Sequence, residues 1–442
     1  VKTRISRPRI LPAAALAAAV AVVAGTLAAA PPAGAFGRFH GELPGVTPRS
    51  ETAAVFDDEE GGNADADDPA IWRNAADPDR SLVIAAVKEG GLRVYDLDAR
   101  QVQAVAAPPA PGPGDAPGRF NNVDLLHGLR LAEGRADVAV TTDRGTDRLR
   151  FYRIDGGGGA GAPLTDVTDA RAPRIFTASQ EEVNEERTAY GLATYTDRRT
   201  GRSYAVVSRA GTTEVALLEL SATAAGTVTY RTVRTVALPS AFRLPDGGSW
   251  SPCGEPGELP QVEGMVVDPQ AGTLYAGQED VGIWRLSADL RGTPELLDRV
   301  REFGVPAGYD AESDECVPAG ADPGFGGTRL AADVEGLTLL PGGAGGAVRL
   351  LASSQGDDTF AVYERGRYAG GFRVVAASEE LDGAQECDGA AVLDAPLGSR
   401  YPDGLLVVQD GHVSPEDSDR EATGFKFVDL ADVEAALGGR RS

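Results

Sequence analysis

The chain has 442 residues, enough for about three average domains or for one large all-β domain. Acidic residues number 66 and basic residues 42, a formal charge of −24, which excludes nucleic acid and anionic membrane surfaces as default partners. Three His and three Cys exclude His-rich or Cys-rich metal sites, and 42% hydrophobic residues with 56 Gly and 29 Pro describe a folded, turn-rich chain rather than a disordered one.

Residues 1–35 read as a secretory signal peptide. Lys2, Arg4, Arg7 and Arg9 form a positive start, an apolar run follows from Ala13 to about Ala30, and Ala33-Gly34-Ala35 is a small-residue cleavage site. The run is dominated by small residues and no stop-transfer pattern follows, which argues against a retained anchor. Cleavage leaves a charge of −28. Residues 36–50 read as a linker and 51–442 as the functional domain. No later stretch reaches the ~18 apolar residues that span a bilayer, so a secreted, extracellular protein with no membrane partner is expected, and a monomer. Secretion permits disulfides. Cys253 and Cys316 both lie in Gly/Pro/acid-rich loops, where a bridge between them is plausible and leaves Cys387 over; the sequence leaves the other pairings open.

From residue 81 onward a unit recurs: an apolar strand, a polar turn, and a second strand ending in an aromatic residue or leucine. Its copies are SLVIAAVKEGGLRVYDLD, DVAVTTDRGTDRLRFYRID, SYAVVSRAGTTEVALLEL, TLYAGQEDVGIWRLS, RLLASSQGDDTFAVYER and GLLVVQDGHV…FKFVDL, spaced by about 67 residues. A short motif precedes each: DDPAIW, NNVDLL, AYGLAT, VEGMVV, DVEGLTLL and CDGAAV. Each unit therefore holds at least three strands rich in β-branched and aromatic residues, with room for a fourth such as TVTYRTVRTVALP. Six units of about four antiparallel strands predict an all-β, six-bladed β-propeller around a central channel, in which radial closure protects the sheet edges. The strand around Ala53–Phe56 is placed to complete the last blade. Segments 108–119, 243–260 and 303–329 read as insertions between strands. A pair of irregular β-sandwiches is the alternative architecture.

The unusual polar residues gather at two places in every unit. Asp67, Asp68, Asn122, Asp124, Tyr190, Glu263, Asp333, Glu335 and Asp388 stand at the start of the first strand. Lys88, Arg144, Arg209, Glu279, Gln355 and Asp410 stand at the exit of the next. Antiparallel pairing puts one strand's start beside its neighbour's end, so both sets face one end of the propeller. Carboxylates packed together raise one another's pKa, and hard divalent cations relieve the repulsion. Oxygen ligands without His or Cys select calcium or magnesium, and calcium fits many flexible ligands better. A solvated acidic face is the competing interpretation. Lys88, Arg144 and Arg209 occupy equivalent turn positions, and together they suit a phosphate. No G-x-S-x-G elbow, Walker loop or Cys-x5-Arg loop is present, and His127-Gly128-Leu129-Arg130 lacks the flanking Arg and Pro of a histidine phosphatase motif.

These motifs, in this order and spacing, resemble the β-propeller phytases (alkaline phytases, or 3-phytases). The resemblance runs from about residue 51 to 435 through DDPAIW (67–72), GLRVYDL (91–97), NNVD (121–124), YGL (190–192), VEGM (262–265), EDVGIWRL (279–286), DVEGLT (333–338), LLASSQG (350–356), FAVYER (360–365), CDG (387–389) and VVQDG (407–411). It implies a six-bladed propeller with several calcium ions and the hydrolysis of phytate to lower inositol phosphates and free phosphate. By alignment it implies calcium ligands at Asp67, Asp68, Glu263, Glu279, Asp333, Glu335 and Gln355, structural calcium near Asp388 and Asp410, and phosphate binding at Lys88, Arg144 and Tyr190. Glu263 and Asp333 join Lys88, Arg144 and Tyr190 as the expected catalytic set. The sequence departs from the family at Arg209, where a lysine is usual, at Ala210, Asp143 and Cys387, and in the two long insertions.

The mechanism implied is direct attack of a metal-activated water on the phosphoryl group, with the cations and Tyr190 stabilising its oxygens. At −28 the chain cannot attract a hexaphosphate unaided, so bound calcium, or calcium carried by the phytate, must invert the local sign. The rivals are a secreted calcium-stabilised propeller that binds phosphorylated ligands without catalysis, and a calcium-dependent lactonase-type propeller. Lactonase chemistry needs no basic cradle, and Lys88 with Arg144 argues against it.

Overall fold

Alternating β-branched and aromatic residues between Gly- and Asp-rich turns build six antiparallel sheets. The computed structural model describes residues 43–156, 161–313, 315–340, 342, 347–413 and 420–438, so the expected signal peptide and residues 36–42 lie outside the described residues. The first blade comprises Pro69–Trp72, Leu82–Ala86, Leu92–Tyr95 and Gln101–Val105. The second comprises Phe120–Leu131, Gly134–Asp143, Arg148–Ile154 and Leu164–Asp166. The third runs through Ala189–Thr196, Ser203–Arg209, Glu214–Ala222 and Val228–Ala237. The fourth uses Val262–Asp268, Thr273–Gln278, Gly282–Ser287 and Glu295–Arg299. The fifth uses Val334–Leu340, Arg349–Ser354, Thr359–Glu364 and Arg367–Val374.

The sixth blade is assembled from both ends of the domain. Ala390–Leu393, Leu405–Asp410 and Ala422–Asp429 are joined by Ser50–Glu51, which pairs Ser50 with Phe427 and Glu51 with Lys426. Val55–Phe56 pairs with the same strand at Thr423 and Ala422, as the sequence led us to expect. The expected linker is partly structural too. Gly45–Val46 adds a parallel strand to the outer edge of the fifth blade, so the described part of 36–50 is fixed by main-chain hydrogen bonds. The first strands of successive blades touch in a closed ring, the sixth meeting the first. Side chains from neighbouring sheets interleave between blades, as where Val206 and Leu217 meet Met265, Leu274 and Ile283, which in turn meet Leu337 and Leu350.

The insertions at 243–260 and 303–329 carry the hairpins Phe242–Arg243/Ser249–Trp250 and Ala307–Asp310/Glu315–Pro318. Cys253 and Cys316 are bridged, and Cys387 is free and buried. Phe242, Trp250, Trp284 and Phe303 pack together where the first insertion meets the fourth blade.

Candidate metal and phosphate site

Strand register delivers the expected gathering of polar groups. The start of each inner strand lies against the end of the second strand, as in Pro69 with Ala85, Ala189 with Arg209, Val262 with Gln278 and Val334 with Ser354. In the second to fifth blades the inner strand shifts register at this point, between Phe120 and Val123, Ala189 and Leu192, Val262 and Met265, and Val334 and Leu337. Such bulges re-aim side chains. Glycine makes the crowding at the axis possible: a Cβ on Gly264 would sit 2.0 Å from the Glu335 carbonyl oxygen, and one on Gly191 would sit 2.1 Å from that of Glu263. These two glycines thus let one inner-strand start approach the next.

Glu263 is at the centre. Its Oε1 accepts from Asn121 Nδ2 at 2.6 Å, and its Oε2 accepts from the Tyr190 hydroxyl. Among the described residues, Glu263, Glu279 and Glu335 are all buried and can bring one carboxylate oxygen each within 4.8 Å of the others. Asp67 Oδ2, Glu279 Oε1 and Glu335 Oε2 are buried without a hydrogen-bond partner. Burial, then the charge of Glu263, pushes both Asp67 and Glu335 far above the usual carboxylate range. Burial, then Asp333 and Glu263, does the same to Glu279. Burial also raises Asp68, whose Oδ2 accepts from Val123 N at 3.0 Å. Buried carboxylates with unmet lone pairs and mutual repulsion suit a hard divalent cation, and every donor is oxygen. The cluster fits a metal ion.

The cations lie to one side. Lys88 Nζ is 2.5 Å from Asp65 Oδ2 and 3.5 Å from Asp388 Oδ2. Burial opposes its charge, but Asp67, Asp388 and Asp65 outweigh burial and keep the ammonium protonated. Asp388 is pushed up to about 7 by burial, Lys88 partly opposing, and its Oδ1 accepts from Gln355 Nε2 at 2.6 Å. The Arg144 guanidinium stacks over the Tyr190 ring, 5.1 Å from its centroid. Burial, then Glu263, holds the Tyr190 phenol well above its ordinary value, so it is a proton donor.

Three expected residues are placed differently. Arg209 donates from Nη1 to Glu214 Oε2 at 2.8 Å and from Nε to the Arg187 carbonyl, and it lies over Phe176; its guanidinium is engaged on the flank of the third blade. Asp410 accepts from Gln385 N and lies 3.1 Å from Lys426 Nζ. Lys426 is fully buried and also pairs with Glu51 and Asp382. Asp410 Oδ2, though without a well-formed hydrogen bond, therefore already faces a cation, an ion pair that the unpartnered axial oxygens lack among the described residues. Asp124 is satisfied by Leu125 N, Thr194 N and Thr194 Oγ1, and with Asp68, Asn122, Leu192, Met265 and Ala390 it lines an axial cavity of about 240 Å³.

Other residues of the site escaped the sequence reading. Asn121, not Asn122, reaches Glu263. Asp280 shares a hydrogen bond with Asp333 and is pushed up to about 8 by burial and then Asp333. Asp65 holds Lys88. Gln261 Nε2 donates to Glu279 Oε2 at 3.0 Å. Arg119 Nη1 pairs with Glu89 at 2.9 Å, its backbone carbonyl accepts from Arg144 N, and its side chain joins Arg144 around a small pocket. Each is one to three residues from a flagged position, a proximity that offered the one usable signal.

A family model described as Phytase matches residues 10–243 and 306–441. The 3-phytase of Bacillus subtilis (strain 168) is 31% identical over 403 residues, which cover 89% of this chain and 85% of that protein. Among solved structures, an auxiliary nutrient binding protein from Bacteroides thetaiotaomicron VPI-5482 is 9% identical with a TM-score of 0.40, over 87% of this chain and 75% of that one. BBS1N in complex with ARL6DN is 9% identical with a TM-score of 0.38, over 79% and 74%. Likeness at that level carries no argument here.

Proposed function

The chain belongs to the phytase family and is a phosphoric monoester hydrolase of the 3-phytase class; from that premise we propose that it hydrolyses phytate, or calcium-phytate, with calcium held by Asp67, Glu263, Glu279, Asp333 and Glu335. The observation that carries this reading is the set of buried, unpartnered oxygens of Asp67, Glu279 and Glu335 beside Lys88 and Arg144. Asp68, Gln355 and Asp388 stand at the border of the same cluster. Bound calcium supplies Lewis-acid chemistry, polarising a phosphoryl oxygen and acidifying water.

The side chains supply the rest. Lys88 and Arg144 bind phosphate oxygens, Lys88 as a point charge and Arg144 as a planar fork. Tyr190, kept protonated by its surroundings, donates a hydrogen bond and orients Glu263. Asp65 and Asp388 hold Lys88 until phosphate arrives. Arg209 joins the cradle only by leaving Glu214. Transfer is direct to water. The charged-then-apolar N-terminal stretch and the Cys253–Cys316 bridge support an extracellular location.

The test is phosphate release from phytate. Activity is expected to vanish after exhaustive chelation and to return with calcium; full activity in the chelated protein refutes the metal role. Glu263→Gln and Arg144→Ala are each expected to lower kcat by about 100-fold or more with the fold kept. Near-normal turnover in both refutes the site assignment.

A further inference from the structure

We infer that Gln261 is a positioning residue that aims Glu279 at the metal and ties it to the turn bearing Arg209. This rests on the metal-site reading above and deepens it. Gln261 stands where the first insertion runs into the inner strand of the fourth blade, two residues before Glu263. Three hydrogen bonds meet on it. Its Nε2 donates to Glu279 Oε2 at 3.0 Å, its Oε1 accepts from Gly211 N at 2.8 Å, and its backbone carbonyl accepts from Glu279 N at 3.2 Å.

The amide's orientation follows from its neighbours. Gly211 N–H can only donate, so the Gln261 oxygen must face it and the NH2 must face the carboxylate. With Oε2 committed, the remaining oxygen of Glu279, Oε1, is buried and unpartnered within the group shared with Glu263 and Glu335. Gly211 takes a left-handed conformation (φ +61) in the turn where Thr212 N donates to the Arg209 carbonyl, which presents its N–H to Gln261. A neutral donor is the right group for the task. It fixes the carboxylate without cancelling its charge, whereas an ammonium at the same place would neutralise it, as Lys426 does for Asp410. Partners of this kind, one shell out from a metal, typically matter 10–100-fold in metal affinity.

The experiment is a calorimetric calcium titration of the full chain, paired with unfolding temperatures in chelator. Gln261→Met keeps the volume and loses both side-chain hydrogen bonds. It is expected to raise the calcium dissociation constant about 10-fold and to move the unfolding temperature in chelator by no more than about 2 °C. Gln261→Asn keeps the amide but is one methylene too short for both partners, so a smaller loss of affinity is expected; it decides the matter if the Met variant does not fold. Calcium affinity within about twofold of wild type in the folded variant overturns the role of Gln261 alone. A wild-type protein that binds no calcium overturns the metal-site reading and this inference with it.

Discussion

Two groups of three carboxylates sit in this propeller, and they are opposites. Glu51, Asp382 and Asp410 surround Lys426, which is fully buried and pairs with all three. Among the described residues, Glu263, Glu279 and Glu335 form no ion pair with a cation of the chain's own, and two of their oxygens have no hydrogen-bond partner. The difference is legible in the acidities. Asp410 is pushed up only to about 6 by burial, because Lys426 opposes the shift. Glu279 and Glu335 are held well above the usual carboxylate range, Glu279 by burial and then Asp333, Glu335 by burial and then Glu263. The first group is closed and structural: it fastens the N-terminal strand to the last blade. The second is open, and a divalent cation completes it.

The largest expected effect comes from breaking the closed group. Lys426→Met leaves the buried Asp410 without its cation and removes the side-chain tie between Glu51 and the last blade. A loss of about 3–5 kcal/mol is expected, read from denaturant unfolding. A loss below about 1 kcal/mol means the ammonium contributes no more than a surface pair.

Filling the open group comes next. Calcium at about 100 times its dissociation constant should stabilise the folded chain by about 2.7 kcal/mol, seen as a rise in Tm over the chelated protein. Calcium should leave the closed group's contribution unchanged, so the loss in Lys426→Met should be the same with and without it.

The smallest effect sharpens the contrast through pH. In the metal-free fold Asp280 keeps its proton to about pH 8 and Asp388 to about pH 7, whereas unfolded carboxyl groups release theirs near 4. The fold thus binds more protons across that window, and its stability falls as pH rises from about 4 to about 8. In chelator at pH 8 a buried carboxyl raised in the fold costs stability relative to the unfolded chain, where it ionises freely, so Glu335→Gln should stabilise the protein by roughly 1 kcal/mol; with calcium the sign should reverse. A Glu335→Gln protein destabilised under both conditions counts against an uncompensated cluster.

How much of this was legible in the sequence depends on the range of the interaction. Asp67, Glu263, Glu279, Asp333 and Glu335 could be flagged because each stands at a repeated strand start or exit, and hairpin register is a local property. Asn122 was flagged and Asn121 was not; the register shift between Phe120 and Val123 makes the face each takes unreadable from alternation alone. Arg209 read as part of a cradle, and its capture by Glu214 across the hairpin turn was not weighed. Nothing in the sequence marked Lys426, since two of its partners, Glu51 and Asp382, are 375 and 44 residues away.

By itself the sequence determined six β-units, their closure by an early strand, and the end of the propeller where acids and bases collect. These follow from alternation and turn chemistry, which act over a few residues. Only the tertiary structure decided which carboxylates are neutralised by the chain and which are left for a metal. That choice rests on Coulomb interactions over a few ångströms, and the bulges and the meeting of different blades set those distances.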